Sequence, residues 1–441
     1  QEGIKACNRR LDEVFSEMSR YDSERAAQVR VTPLNINQMR AFLSTEKTAL
    51  VEIFTTPQNT YILVLKRDVP STKPSDYRVE VHTCDSDLQY WLTQNWSYFI
   101  QSNFNVLTAA TLLECDPSAI ASVEVTKEKV NICGHDWDTS FSFEKFQQAY
   151  QKELEQPQIL QKISQRLKLD QLVENCLYDI EEIILVPHLC LHQIPFAALP
   201  LASGEYFGDR VLLRFTPSVQ ILDFCYKREG LKENAMGTVE NPTHDLLFAS
   251  YEASQLAQMY QIPDDNRAIG DRATVKRFYE LARQVQTLHL SHHATANFGN
   301  PLQSALLLAG GEVTLQDLLL LRLPNLNQVY LSCCETQLSR AELTDDYLPL
   351  GAGFLIAGAR NVISTLWAVD DMATALFTIL YHEFYQEEKQ QAALGKKEID
   401  RARILQKAQQ KLRTISGHKF QEKRVPQIEN YLQNLLDTLW E

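Results

Sequence analysis

Three apolar segments of this chain end in residues able to do covalent chemistry. Leu288-His289-Leu290-Ser291-His292-His293 stops in histidine, Val329-Tyr330-Leu331-Ser332-Cys333-Cys334 stops in cysteine, and Ser364-Thr365-Leu366-Trp367-Ala368-Val369 stops in Asp370-Asp371. Gathered on one rim, an imidazole, a thiol and a carboxylate pair would suit nucleophilic catalysis. A free thiol of pKa about 8.5 is only slightly ionised near neutrality and needs a base to hold the thiolate. Side chains two apart in a strand share a face, so His289, Ser291 and His293 fall on one side and His292 on the other. By the same parity Tyr330, Ser332 and Cys334 oppose Cys333. His293 and Cys334 are then the rim residues, while His292 and Cys333 turn into packing. For one such residue alone a buried structural role is the commoner outcome; two strand ends of matching type shift the balance toward chemistry.

Those ends need a common edge. Beyond Glu181 strand-like and helix-like segments alternate, which points to a parallel sheet with helical crossovers, and ligand sites in such sheets lie at the carboxyl ends of the strands. The expected strands are 183–186, 245–250, 287–293, 328–334 and 360–369, with helices over 251–260, 273–284, 314–321 and 348–359. Two Pro- and Gly-punctuated stretches, 187–200 and 204–218, read as a hairpin excursion from the sheet. Upstream, ALVEIFT and TYILVLK flank a Thr-Pro-Gln-Asn turn and YRVEVHT follows, giving a hairpin and a third strand. The expected domains are a helical linker over 1–47, a small α/β unit over 48–140, connecting helices over 141–179, the chemistry-bearing domain over 180–388 and basic helices over 389–441.

Composition narrows the function classes. The 441 residues hold 43 Lys+Arg against 56 Asp+Glu, a net charge of −13, with 44% apolar and 22% charged residues. This is ordinary globular composition; it excludes disordered, collagenous and small disulfide-stapled chains. The acidic excess argues against nucleic acid as a partner. Nine cysteines, odd in number and mostly inside apolar runs, suit buried thiols in a reducing compartment, so a cytoplasmic location is expected. The apolar stretch 348–369 contains Pro349, Arg360 and Asn361 and is too broken to span a membrane. The chain opens on a polar stretch without a signal peptide, as a fragment of a longer chain would. Residues 389–424 carry 11 Lys/Arg against 3 Asp/Glu. Ile399, Ala402, Leu405, Ala408 and Leu412 recur there at the spacing of an amphipathic helix whose basic face can meet the acidic body. There is no Walker A loop or dinucleotide fingerprint. Cys133-Gly134-His135 lacks a second pair at zinc spacing, so no metal and no cofactor is expected. His188 and His192 read as a packed turn.

The ordered motifs LHLSHHATANFGNPLQSALLLAGGEVTLQDLLLLRLPNLNQVYLSCCETQ and GAGFLIAGARNVISTLWAVDDMAT, together with VPHLCLHQIPFAAL, TPSVQIL and NPTHDLLFASYEASQLA, closely resemble the CHAT family of caspase-like proteases. That family often accompanies tetratricopeptide repeats and is related to separase and caspases. The resemblance implies a caspase-like α/β/α sandwich with a mostly parallel sheet, preceded by a smaller noncatalytic caspase-like α/β unit. It covers residues 180–410 best.

The resemblance also implies roles. The His of the family's His-Gly motif falls on His293, and the nucleophile of its Leu-Ser-Ala-Cys-Glu-Thr motif falls on Cys334. The sequence has Ala294 where the family usually has Gly and Cys333 where it usually has Ala. The backbone N–H groups of Ala294 and Cys334 would form the oxyanion hole. In separase-like relatives a Leu-Trp-x-Val-x-Asp segment borders the S1 pocket; here it falls on Trp367, Asp370 and Asp371, whose carboxylates favour a basic residue before the scissile bond. The implied partners are a protein substrate and a regulatory N-terminal region or activator protein, with neither nucleic acid nor membrane. The polar segment 338–347 is expected to regulate access to the cleft, with Arg340 a candidate autoprocessing site. Two rivals are a catalytically silent scaffold that binds protein partners and an amidotransferase; the cysteine-before-histidine order and Gly-Cys-Gly elbow of the second are absent.

Overall fold

The computed structural model describes residues 34–56, 59–67, 77–85, 88–92, 120–125, 129–134, 137–142, 158–228, 235–297, 300–333, 349–366, 369, 371–395 and 399–414, with six isolated positions elsewhere. Helix α1 (Ile36–Arg40) precedes the first sheet and opens on an Asn35 capping box. Strands β1 (Thr48–Thr55), β2 (Thr60–Arg67) and β3 (Tyr77–Thr83) form the expected antiparallel meander. Strands β4 (Ile120–Val125), β5 (Lys129–Gly134) and β6 (Asp138–Ser142) make a separate antiparallel sheet. After α2 (Gln158–Arg166) and α3 (Leu169–Asn175), β7 (Glu182–Val186) pairs parallel with β1. Past α4 (Phe207–Arg210), β8 (Leu212–Phe215) pairs parallel with β7. The sheet order is thus β3-β2-β1-β7-β8.

This corrects two expectations. The strand at 183–186 belongs to the first sheet, and residues 204–218 contribute a paired strand in place of a hairpin excursion. Ala49, Val51 and Ile53 pack into one core with Leu167, Leu169 and Leu172, and Leu50 into another with Ile184 and Val186, so β1 is buried on both faces; its backbone groups need partners on both edges, and β7 supplies the second.

The chain next forms α5 (Val219–Lys227), β9 (Met236–Glu240), α6 (Leu247–Tyr260), β10 (Arg267–Ile269), α7 (Val275–Gln284) and β11 (Thr287–Ser291). A small antiparallel sheet follows: β12 (Ala294–Thr295), β13 (Ala305–Leu308) and β14 (Gly311–Thr314). Then come α8 (Leu315–Leu320), β15 (Gln328–Leu331), α9 (Leu350–Ala357), β16 (Asn361–Ser364), α10 (Asp371–Ala393) and α11 (Arg401–Thr414). Strands β10-β9-β11-β15-β16 lie in that order, all parallel.

The expected strand at 245–250 is instead the entry to α6, because the Asn241 side chain accepts from Leu246 N at 3.1 Å and caps the turn. Among the strands that the sequence does not announce, β9 is buried at all five positions. Its sequence, Met-Gly-Thr-Val-Glu, lacks the apolar run that marks a core strand.

Pleat alternation divides the sheet into two differently furnished layers. On one face Leu288, Leu290, Val329 and Leu331 pack with Phe278, Leu281, Leu315 and Phe354 of α7, α8 and α9. On the other, His289 and Tyr330 meet Tyr381 and His382 of α10 at ring centroid distances of 5.3–5.8 Å. The arrangement is three-layered α/β/α. The basic segment forms α11 as its periodicity foretold: Ile404 and Ala408 are buried with Tyr385 and Tyr330. Its polar side reaches the acidic body through Arg413 to Asp209 (2.7 Å) and Lys407 to Glu388 (2.5 Å). No described helix is long and apolar enough to cross a membrane.

Candidate active site

In the order β10-β9-β11-β15-β16 the chain leaves β9 toward one side and β11 toward the other, and the crevice at that switch point is where an open α/β sheet receives a ligand. The loop leaving β9 is bent sharply. Asn241 (φ 40°) and His244 (φ 62°) both occupy the left-handed region, a conformation Asn tolerates better than most residues. Asn241 N donates to Ser291 O at 2.9 Å, tying the loop to the end of β11, and Asn241 Nδ2 donates to Ser250 Oγ at 3.0 Å. The loop delivers Asp245 to His293, whose Nε2 lies 3.0 Å from Asp245 Oδ2. The Thr243 hydroxyl also donates to Asp245, at 2.5 Å. That hydroxyl first, and His293 with it, hold the carboxyl below its ordinary range.

His293 is about one-third exposed, with 32% of its side chain accessible. His292, on the opposite face, is buried and its Nδ1 contacts the His293 carbonyl at 2.8 Å. Burial pushes the His292 imidazole down to about 4, so it is neutral near pH 7. Cys333 is likewise in the core, with Sγ 3.3 Å from Leu290 O. Ser332 N donates to Leu290 O at 2.8 Å, carrying the strand pairing one step past β15. Cys334, Trp367, Asp370 and the segment 338–347 lie outside the described residues.

Ala294 is described, and its φ is not in the left-handed region, so its methyl causes no backbone strain. Leu307 N donates to His293 O at 3.0 Å and Ala294 stands opposite Leu306. That register makes Ala294 and Leu306 a pair that exchanges no backbone bonds, so the Ala294 N–H faces away from β13. Asp371, expected at the S1 pocket, is the first residue of α10, and its Oδ2 accepts from Phe248 N, in the first turn of α6, at 2.9 Å. His188 and His192 lie at the 3-10 turn Leu189–Gln193 that follows β7: Thr55 N donates to His188 Nδ1 at 3.2 Å, and burial lowers His192 to about 3.

Asp245 lies within 245–250, where the sequence pattern leads to a strand, and so does not stand out as a partner of His293. Its signal was Asn-Pro-Thr-His-Asp, a turn-forming composition directly before a helical pattern.

No curated protein matches the chain. A family model described as the CHAT domain matches residues 147–426, a span that holds β7, β8, α11 and the whole five-stranded parallel sheet and exceeds half of the sequence: the chain belongs to the CHAT domain family.

Proposed function

We propose that this chain is a cysteine endopeptidase on a caspase-like sandwich, with Cys334 as nucleophile and His293 as base. The observation that carries the reading is the His293–Asp245 pair at the switch point, with His293 two residues past the end of β11, the strand beside the one that Cys334 follows in the sequence. With Asp245 accepting from Nε2–H, the neutral imidazole presents Nδ1 as the nitrogen able to take the thiol proton.

The thiolate attacks the peptide carbonyl, and the Ala294 and Cys334 N–H groups hold the oxyanion. The C–N bond then breaks, His293 gives the proton to the leaving amine, and a thioester remains. Water, deprotonated by His293, attacks the thioester and returns the free acid and the thiol. Trp367 and Asp370 would receive a basic side chain before the scissile bond, an Arg fork matching a carboxylate better than a Lys does. The segment 338–347 and an upstream region or activator protein would control access.

Incubation with a proteome, followed by mass spectrometry of new N-termini, tests the reading. New termini should follow Arg or Lys, and should vanish with Cys334→Ala and with His293→Ala. Turnover that survives either substitution refutes it.

A further inference from the structure

One carboxylate lies between the two strands that carry the proposed dyad. Glu252, in the second turn of α6, is 1% exposed. Its Oε1 is 2.5 Å from His289 Nε2 and 3.2 Å from Ser291 Oγ, and its Oε2 is 2.9 Å from Ser332 Oγ. Ser291 closes β11 and stands two residues before His293; Ser332 follows β15 and stands two residues before Cys334.

A carboxylate buried this deeply costs several kcal/mol unless its oxygens are satisfied, and here three donors converge on it. His289 Nδ1 is buried without a partner among the described residues. With the proton on Nε2, the imidazole donates to Glu252 and leaves Nδ1 an acceptor, avoiding an orphaned buried N–H.

The position of this cluster matters because the ladder stops short of the chemistry. The register between β11 and β15 ends at Leu290 and Leu331, and Ser332 N to Leu290 O is the last described backbone bond between the two strand ends. His293 and Cys334 both come after it. Glu252 spans the strands at the level of that last described bond, and its helix starts two residues after Asp245.

We propose that Glu252, acting through Ser291 and Ser332, is a positioning residue that locks the ends of β11 and β15 together and so fixes the separation of His293 and Cys334. This rests on the dyad reading above. A displacement of about 1 Å at reacting groups can cost on the order of a hundredfold in rate, so the lock acts on kcat while leaving substrate binding alone.

The test uses Ser332→Ala and Glu252→Gln, the first a small change that keeps the protein folded should the second not. Three readouts are taken: thermal midpoint, kcat with KM, and the pH midpoint for alkylation of Cys334 by iodoacetamide, followed by peptide mapping. Both variants are expected to melt within a few degrees of wild type, to lose about 10- to 100-fold in kcat with KM within about twofold, and to move the alkylation midpoint up toward the free-thiol value of about 8.5. If kcat and the midpoint stay at wild-type values in both variants while His293→Ala moves the midpoint, the lock is refuted and the dyad stands. If the wild-type midpoint does not respond to His293→Ala, the dyad reading fails and the positioning role falls with it.

Discussion

The imidazole of His293 and the carboxylate of Asp245 meet at 3.0 Å although 48 positions separate them in the chain. The meeting is arranged by a loop with two left-handed residues, and it gives the candidate base an orienting partner. Asp245→Asn should therefore lower kcat on the order of 10- to 100-fold, the low end of what general acid–base chemistry contributes, because 61% of the Asp245 side chain is accessible to water. The carboxyl is held below its ordinary value. Its contribution is thus in place above the unfolded value near 4 and is lost as pH falls through the lower folded value. A pH–rate profile of the two proteins checks this; an unchanged kcat removes Asp245 from the mechanism.

Buried neutral histidines set a second expectation. Burial lowers His292 to about 4 and His192 to about 3, and moves His382 well below 6.5. The unfolded chain takes up these protons near 6.5 while the fold does not, so stability is lost as pH falls from 6.5 toward 4. For His292 alone the loss is at most about 3 kcal/mol. Melting temperatures measured across that window should decline, and His292→Asn should flatten part of the slope. A level profile would contradict the buried, neutral assignment.

The two aspartates after β16 should separate by function. Asp371 accepts from Phe248 N, so Asp371→Ala should cost about 1 kcal/mol, as a lost helix cap does, and leave side-chain preference intact. Asp370→Asn should reduce the preference for Arg over Leu before the scissile bond by about tenfold. Peptides differing at that residue alone decide it; preference erased by Asp371→Ala at unchanged stability reverses the assignment.

Gly358 joins α9 to β16 with φ 144°, and a Cβ there would strike the Leu323 carbonyl. Gly358→Ala should cost about 3 kcal/mol or more. It should also disturb Arg360 and Asn361, whose N–H groups share Asn327 O and start β16. The denaturation midpoint reports the loss.

The elements that were legible in the sequence share a cause. β1, β2, β11 and β15 are apolar in a strand's pattern, and Thr274 and Thr314, which cap α7 and α8, stand where a helix signal begins. The parity that set His293 apart from His292 follows from the pleat alone. β9 was hidden because a fully buried strand can be built from Gly, Thr and Glu when Arg267 meets the glutamate in a two-bond fork at 2.8 and 2.9 Å. The pairing of β7 with β1 was hidden because no local pattern records which sheet a buried strand will join. Asp245 and Glu252 depend on α6 crossing two strands, a tertiary fact that no local spacing encodes.

The pairing of β1 with β7 has a consequence for synthesis on the ribosome. Lys47 and Glu181, which meet at the head of these two strands, are 134 positions apart. At 5–20 residues per second, on the order of ten seconds pass before β7 emerges. During that interval the hairpin β1–β2 offers a bare, apolar edge, the kind of surface on which nascent chains aggregate. A chaperone that binds extended apolar segments should engage residues 48–55 during elongation and release them once β7 has docked.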